Sequence, residues 1–558
     1  MDLPGVLRGR HPEPLRRLQS RRALAPGREP RRLTLARAAL AAGLSLLAAS
    51  PLVAQDDTLR AIVLDRQDIF SRAEAEQFSF ARLANAVHVT TVHRVIRREV
   101  LLLAGAPWDS ALADETARNL RGLGIFRSVR VDSVRTDSGL VAMVRTRDGW
   151  STSLDASYRR TDGDVDWGVS LTERNLLGTV TRAGIGYRST PDRTLWGAEF
   201  SQPRLVNGEV GLTAVVQDRS DGWSAYGAVG KPFFSLGSRS AWSLLGDWRD
   251  ETVYRYFEGE PEARDTLAHH FGLARVDAAI APEAGTEGYT RLGAFAQLRR
   301  DDFLPVAEES ALDQTLTGAV GVAAEWRVAG FVVARGYAGT GQQEDVDLSR
   351  VLRVGLALTP EVFGYERDGV VPSAAARVGF RRGRAMGWAE AAAHGRFTGA
   401  GLDSGRVRVA ATAFSELSRH RSVVLHAEAG WIEDPAPGAE FDLGFGVGPR
   451  AFGAHAFTGD RAVFATAEYR WYPIRDFAGL VSLGLAGFGD WGGAWYDGAG
   501  TGTRTGWDAG LGLRVGASRS SDPRALRFDL AYRSASGGIE AGWVLSVGTG
   551  LTFQSRLF

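Results

Sequence analysis

The residues that most often carry chemistry in proteins form no recognisable catalytic pattern in this chain. Its 558 residues include no cysteine, which excludes disulfides and thiolate zinc sites. No G-x-S-x-G, H-E-x-x-H or P-loop pattern occurs. His269 and His270 are adjacent, and adjacent side chains on a strand point to opposite faces, so the pair is a poor joint metal ligand. We therefore predict no enzymatic activity, no metal site and no cofactor.

Charged residues occur instead at alternate positions of short segments near the C-terminus. In each segment the charged residues and glycines fall on one face, and apolar or aromatic residues fall on the other. The charged faces carry Glu468, Arg470, Asp508, Arg514, Arg527, Asp529 and Arg533. The opposite faces carry Tyr469, Trp471, Trp507, Leu511, Leu513, Phe528, Leu530 and Tyr532. On an inner face, Glu468 and Arg470 could either join an ion-pair network or merely line the wall.

A transmembrane β-barrel would position such faces. In a barrel of the outer-membrane type, the aromatic-rich apolar face contacts lipid and the charged face lines a wet lumen. Up to about twenty strands, each of about ten residues, are readable between Ser151 and Phe553, which suits a tilted bilayer crossing. Polar stretches at Glu251–Thr266 and Asp301–Gln314 are predicted to be external loops. A soluble sandwich or propeller, the alternative, does not explain this length of alternation without a repeat.

The N-terminal residues predict export. Residues 1–54 combine a basic leader of ten arginines with the apolar segment Ala38–Ala49, which is too short to span a bilayer, and a small-residue cleavage point at Ala54. This pattern indicates a signal peptide, with a start codon downstream of Met1 as one reading and a buried cytosolic helix as the alternative. Without that leader the chain is mildly acidic, so its net charge of +1 does not indicate nucleic-acid binding.

Between leader and barrel we predict a linker, residues 55–80, and a small α/β domain, residues 81–149. Thr91 is predicted to cap one helix and Asp109 a second helix, which ends near Gly122. Alternation around Val129 and then from Leu140 to Arg147 predicts two strands joined by a turn. A generic small α/β domain is the alternative reading of this segment.

Several motifs resemble one superfamily. The stretches VIRREVLLLAG (95–105) and ETARNLRGLGIFRSVRV (115–131) resemble a POTRA domain, the periplasmic module of outer-membrane assembly and transport proteins. Residues 173–178 (ERNLLG) resemble its early barrel turn, residues 488–492 (FGDWG) its F-x-D-x-G strand motif, and residues 449–453 (PRAFG) the tip of its long sixth loop. Together these motifs resemble the BamA/TamA family or its two-partner-secretion relatives.

The resemblance implies a fold and a function. It implies a mainly β chain, with a transmembrane antiparallel β-barrel of 16 strands, five of them after the long loop, and one POTRA domain in the periplasm. It implies assembly of outer-membrane proteins or translocation of a protein substrate without nucleotide, with the POTRA domain capturing an extended client by strand addition. The alternatives are a passive outer-membrane channel and a two-partner secretion transporter. Implied partners are outer-membrane lipid, an unfolded or extended protein client, and periplasmic chaperones or accessory lipoproteins, but no nucleic acid. A single POTRA domain favours a specialised paralogue.

The resemblance also implies two sites. One is a lock between the long loop and the barrel lumen, in which the loop arginine meets the motif aspartate; its residues are Arg450, Phe452, Asp490, Glu468 and Arg470. A solvated Arg450 is the alternative, and Ala451 departs from the family's usual glycine. The second is a weak seam between the first and last strands, with residues Ser151, Arg159, Gly548, Gly550 and Phe553, because glycine destabilises strands. The terminal strand Trp543–Phe553, ending at Phe553 or Phe558, resembles an outer-membrane targeting signal.

Overall fold

The computed structural model describes residues 57–161, 164–257, 260, 262–306, 315–340, 343–444, 447–478, 480–498, 504–521 and 524–553. The predicted leader and signal peptide, and Phe558, lie outside these residues. Everything that follows concerns the unit from Asp57 to the C-terminus.

The described chain begins with a small α/β module. Its elements are β1 (Leu59–Gln67), α1 (Arg72–Gln77), α2 (Ser79–Val87), α3 (His93–Glu99), α4 (Ser110–Gly122), β2 (Phe126–Thr136) and β3 (Gly139–Asp148). The sheet order is β1-β3-β2, with β1 parallel and β2 antiparallel to β3. Helices α3 and α4 cover one face of this sheet, where Val95, Ile96, Leu120, Val129 and Val144 form the core.

Two predictions for this module are wrong. The predicted linker at 55–80 contains β1, α1 and the start of α2, because the apolar centre of β1 is flanked by charges that hide its alternation. Thr91 does not cap a helix; α3 begins at His93, and the Thr91 hydroxyl donates to Asp148 instead. Asp109 caps α4 as predicted, with its carboxylate accepting from the backbone N–H groups of Ala111 and Leu112.

Residues 152–549 form a closed antiparallel barrel of 20 strands. The barrel strands are β4 (Thr152–Thr161), β5 (Asp164–Leu176), β6 (Thr181–Ser189), β7 (Thr194–Gln202), β8 (Gly211–Arg219), β9 (Gly222–Lys231), β10 (Ser240–Arg255), β11 (Asp265–Gly285), β12 (Gly288–Pro305), β13 (Leu316–Val328), β16 (Arg350–Thr359), β17 (Gly369–Arg382), β18 (Ala385–Thr398), β19 (Gly401–Ser418), β20 (Arg421–Glu433), β23 (Arg461–Phe477), β24 (Val481–Trp495), β25 (Gly506–Ala517), β26 (Leu526–Arg533) and β27 (Gly542–Thr549). The 16 strands implied by the resemblance are therefore wrong, whereas the alternation itself had predicted about twenty. Five strands follow the loop after β20, as expected.

The predicted external loops are shorter than expected. Residues 251–255 and 265–266 belong to β10 and β11, and residues 301–305 belong to β12. These strand extensions carry polar side chains on both faces, so they lack the apolar alternation that marks a strand in sequence. Residues 307–314 lie outside the described part of the chain.

The two faces of the barrel wall are as the sequence predicts. Glu468, Asp508, Arg514 and Asp529 are buried inside, while Trp507, Leu511, Trp543 and Leu545 are exposed outside. An outer surface this apolar requires lipid, because soluble monomers rarely expose apolar patches beyond a few hundred Å². No helix among the described residues is long and apolar enough to cross a membrane.

Two segments between barrel strands fold into the lumen. The lumen hairpin consists of β14 (Phe331–Arg335) and β15 (Gln343–Asp347), between β13 and β16. The lumen loop, residues 434–460, joins β20 to β23 and contains β21 (Phe441–Leu443) and β22 (Phe457–Gly459). Buried residues of both segments share one apolar cluster with inner-wall residues such as Trp388 and Phe414.

Candidate functional site

The lumen loop presents Arg450 to the inner wall. Its guanidinium makes a bidentate pair with Asp490 of β24, at 2.6 Å from Nε to Oδ2 and 3.1 Å from Nη2 to Oδ1. The backbone N–H of Arg450 also donates to Asp490. The guanidinium carbon lies 3.7 Å from the centre of the Phe488 ring, which adds a cation–π contact. Arg450 is 4% exposed, so the alternative of a solvated loop arginine is wrong.

Glu468 connects this pair to the neighbouring strands. It accepts from Arg450 at 2.9 Å, from Arg470 at 2.6 Å and from Arg514 at 3.0 Å. Arg514 also reaches Asp529 at 2.5 Å, and Asp529 accepts from Arg527 at 2.9 Å. These ion pairs join the lumen loop to β23, β24, β25 and β26. Because Arg450 pairs with both Asp490 and Glu468 in the interior, its removal would leave these buried carboxylates with one guanidinium fewer.

Ala451 and Phe452 hold the loop tip in place. The backbone N–H of Ala451 donates to Asp508 at 3.0 Å, and its methyl group lies in a buried cluster with Phe488, Ala531 and Val544. Ala451 does not have a positive φ, so this tip does not require the glycine usual in the family. Phe452 is fully buried against Phe457. The structure therefore brings all five predicted lock residues together.

The lumen hairpin joins the same interior from the module end of the barrel. The backbone carbonyl of Tyr337 accepts a hydrogen bond from Arg470. The buried Glu344 carboxylate accepts from the backbone N–H groups of Tyr337, Ala338 and Gly339 at 2.7–3.2 Å, which closes the hairpin tip. Arg470 thus links the charged network of Glu468 to the lumen hairpin.

The seam between the first and last strands is weak. Strands β4 and β27 share one paired position, Arg159 with Ser546, whereas β27 pairs with β26 over its whole length. At Gly550 the backbone adopts φ +70°, and the chain leaves the sheet. Phe553 then stacks on His426 inside the lumen, with ring centres 3.9 Å apart. Most of the seam-side edge of β4 is therefore unpaired within the described residues.

Phe553, Gly550 and Ser151 are placed differently from the prediction. Continued alternation from Trp543 would put Phe553 on the outer face of the terminal strand, but the turn at Gly550 carries it inside, and the strand ends at Thr549. Gly550 forms that turn rather than pairing across the seam. Ser151 precedes β4, and its carbonyl accepts from the backbone N–H of Arg174. Gly548 pairs with Arg527 of β26.

An apolar cavity opens beside the seam at the module end. Its volume is about 580 Å³. The module contributes Ile69, Phe70 and Phe80, and the flanking barrel strands contribute Leu154 of β4 and Leu526 of β26. The edge of β4 that lacks a partner thus borders a surface of the module.

The module is fixed to the barrel by a buried polar joint. Asp148 accepts from the backbone N–H and the hydroxyl of Thr91, at 2.8 and 2.9 Å, and lies 3.0 Å from His88. The Asn175 amide donates to the Thr91 hydroxyl, and the carbonyl of Gly178 accepts from the N–H of Val92. Asn175 and Gly178 belong to the NLLG turn that the sequence singled out, so this turn is where the barrel holds the module.

No family model matches the chain, and no curated protein matches it. Among solved structures, CdiB from Escherichia coli matches at 12% identity and a TM-score of 0.47, covering 89% of this chain and 77% of that one. CdiB from Acinetobacter baumannii matches at 10% identity and a TM-score of 0.41, covering 88% of this chain and 74% of that one. BamA from Haemophilus ducreyi lacking POTRA domains 1–3 matches at 12% identity and a TM-score of 0.36, covering 88% of this chain and 84% of that one. All three belong to the superfamily that the sequence motifs resemble. Sequence identities of 10–12% and TM-scores of 0.36–0.47 do not carry the function of these proteins over to this chain.

Sequence reasoning missed further members of the site. Arg514 and Asp529 were expected on the inner wall but not in contact with the lumen loop, because register between distant strands is not visible in sequence. The lumen hairpin was missed because its ten strand residues alternate like any short barrel strand. Thr91 and Asp148 gave no motif; only their closeness to the NLLG turn in space reveals the joint.

Proposed function

We propose that this chain is an outer-membrane barrel that assembles outer-membrane proteins or translocates a protein substrate, and that its module is a periplasmic POTRA domain. The observation that carries the proposal is the seam. The edge of β4 has one paired position with β27, and unpaired strand edges accept a further strand by backbone hydrogen bonding. Phe70 and Phe80 of the module line the cavity beside this edge, where an extended apolar segment would be buried.

A passive channel is less well supported. A conducting barrel needs a continuous wet lumen, but here the lumen loop and the lumen hairpin share a buried apolar cluster with the wall. Two-partner secretion through the lumen would require both segments to move, which would break the buried ion pairs of Arg450 and Arg470. Opening of the seam breaks one pairing position. The proposal assigns the chain no catalytic step and no cofactor.

The test is depletion of the protein followed by proteomics of the outer membrane. If the chain assembles outer-membrane proteins, several barrel proteins should fall in abundance together, and re-expression should restore them. Loss of one secreted protein with unchanged barrels would identify a dedicated secretion transporter. Unchanged barrels and unchanged secreted proteins would overturn the proposal. An unrelated outer-membrane barrel, depleted in parallel, controls for general envelope damage.

A further inference from the structure

A second cavity lies between the module and the mouth of the lumen, and its lining is strongly basic. Its volume is about 490 Å³. Six arginines line it, and Asp476 is the lining carboxylate. Four arginines come from strands β2 and β3 of the module sheet, one from the lumen hairpin and one from the end of β23: Arg127, Arg130, Arg145, Arg147, Arg335 and Arg475. No apolar side chain contributes to the lining, which otherwise consists of serine, threonine and glutamine residues.

These charges are poorly compensated within the described residues. Arg127 lies 3.7 Å from a carboxylate oxygen of Asp476, and Arg145 lies 3.6 and 3.7 Å from carboxylate oxygens of Asp132 and Asp65, all longer than a direct hydrogen bond. Arg147 donates to the neutral Gln67. Arg130, Arg335 and Arg475 form no ion pair in the described part of the chain. Burial, and next the charge of Arg519, lower the pKa of the Arg127 guanidinium, as expected where like charges are crowded.

A second observation is independent of this charge count. Buried polar atoms without a hydrogen-bond partner among the described residues include two in the lining that can donate, Arg475 Nε and Thr146 Oγ1; Gln343 Oε1 is also unpaired, but it accepts and does not itself favour an anion. Buried polar atoms in folded proteins are almost always satisfied, so unpaired atoms gathered around one polar cavity indicate that something occupies it. Water could satisfy the hydroxyl and the amide, but it would leave the positive charge uncompensated.

We propose that this arginine cavity binds a phosphate-type oxyanion. Planar guanidinium groups match phosphate oxygens in bidentate geometry, and hydroxyl groups such as Ser128 and Thr340 supply further donors around a tetrahedral anion. The polar lining holds no acyl chain, so the ligand is either a soluble phosphate compound or the headgroup of a phospholipid whose chains lie elsewhere. Because the cavity joins the module, the lumen hairpin and the barrel wall, the anion would stabilise their closed arrangement. This inference does not depend on the proposed function.

The test uses the full-length protein in detergent micelles, with pyrophosphate as the probe in a chloride buffer of constant ionic strength, because salt screens non-specific attraction. We expect the wild type to bind pyrophosphate in a calorimetric titration and the double variant R335Q/R475Q to bind at least ten-fold more weakly. The matched control is R381Q/R382Q, which removes the same charge from exposed residues at the same end of the barrel. Heat-dependent gel mobility verifies that each variant is folded.

The outcomes are separable. No pyrophosphate binding by the wild type, equal binding by R335Q/R475Q, or equal loss in R381Q/R382Q would overturn the inference. If R335Q/R475Q does not fold, R130Q replaces it, since Arg130 is exposed on the module sheet, and the same criteria apply. Nanodiscs then distinguish the sources. Pyrophosphate binding is compared in nanodiscs that contain phosphatidylglycerol and in nanodiscs of phosphatidylcholine alone. Loss of binding in the presence of phosphatidylglycerol identifies a lipid headgroup as the ligand, and equal binding in both nanodiscs identifies a soluble phosphate.

Discussion

Arg450 illustrates how much a single side chain decides in this barrel. It connects the 27-residue lumen loop to the wall through Asp490 and Glu468. The contact with Asp490 was implied by the resemblance of residues 449–453 and 488–492 to two motifs of the family. The placement of Phe553 could not be predicted in the same way, because a single left-handed glycine, Gly550, reverses the face that alternation assigns.

Replacement of Arg450 by alanine should destabilise the folded barrel. The change leaves Asp490 and Glu468 buried with one guanidinium fewer, and breaking such a buried pair costs about 3–5 kcal/mol. The temperature at which the compact gel band converts to the unfolded band should therefore fall. It should fall less for Arg450→Lys, because lysine keeps the positive charge but cannot make the two parallel hydrogen bonds of a guanidinium. Arg382→Ala, at an exposed arginine, is the control. Equal conversion temperatures for Arg450→Ala and this control would contradict the proposed lock.

His455 should make the lumen loop sensitive to alkaline pH. Its ring stacks on Tyr256 at 3.6 Å and contacts Asp442 and Asp192 at 2.7 and 3.2 Å, at the end of the barrel opposite the module. Burial alone would lower its pKa, but the hydrogen bonds to Asp192 and Asp442 outweigh burial and raise the pKa to about 9. A histidine whose pKa is raised by folding stabilises the folded state fully at pH values below its unfolded-state pKa. This stabilisation is lost as the pH rises through the folded-state pKa, here over roughly pH 6.5–9.

Wild type should therefore lose on the order of 2 kcal/mol of stability between pH 6.5 and 10 that His455→Gln does not lose. The measurement is the conversion temperature on gels at both pH values for the two proteins. Parallel pH profiles would show that the histidine does not clamp the loop.

Among the elements inside the barrel, the lumen hairpin was not revealed by the sequence. Its strands are as regular as their neighbours, and only the interior contacts of Tyr337 and Glu344 place it inside. It also reaches the module, because Arg121 of α4 makes a bidentate pair with Asp345 at 2.6 and 2.7 Å. The number of barrel strands, in contrast, was visible in the sequence. Local alternation predicted about twenty strands, whereas the 16 strands implied by the family were too few.

Deletion of the lumen hairpin should open the barrel to ions. Residues 331–347 can be replaced by a short Gly-Ser linker, because Leu348 N–H already donates to the Gly330 carbonyl at 2.7 Å across the hairpin base. The lumen loop remains in place, so single-channel recordings should then show a small, steady conductance that exceeds that of the wild type. The same linker inserted at residues 220–221, in a turn outside the lumen, is the control. A folded deletion variant that conducts like the wild type would show that the hairpin does not close the lumen.

For the whole molecule, the central features are two segments that fold into the lumen and one weak seam in the wall. The lumen loop, the lumen hairpin and Phe553 share one apolar cluster with the inner wall, whereas β4 and β27 share one paired position. The module lies against this seam through the cavity lined by Phe70 and Phe80. The sequence predicted the barrel and the small α/β module, and the resemblance implied the seam. Their mutual position was not predicted, because it depends on long-range contacts such as that of Asn175 with Thr91.

The most direct test of this account is a disulfide across the seam. Arg159 and Ser546 are directly paired, and the chain has no cysteine, so Arg159→Cys with Ser546→Cys introduces one bond at that position. The account predicts that the oxidised protein folds normally but fails to restore the envelope proteins lost on depletion, and that reduction restores them. Ala156→Cys with Val169→Cys, within the β4–β5 hairpin, is the matched control and should have no effect. Full restoration by the oxidised seam variant would contradict the account.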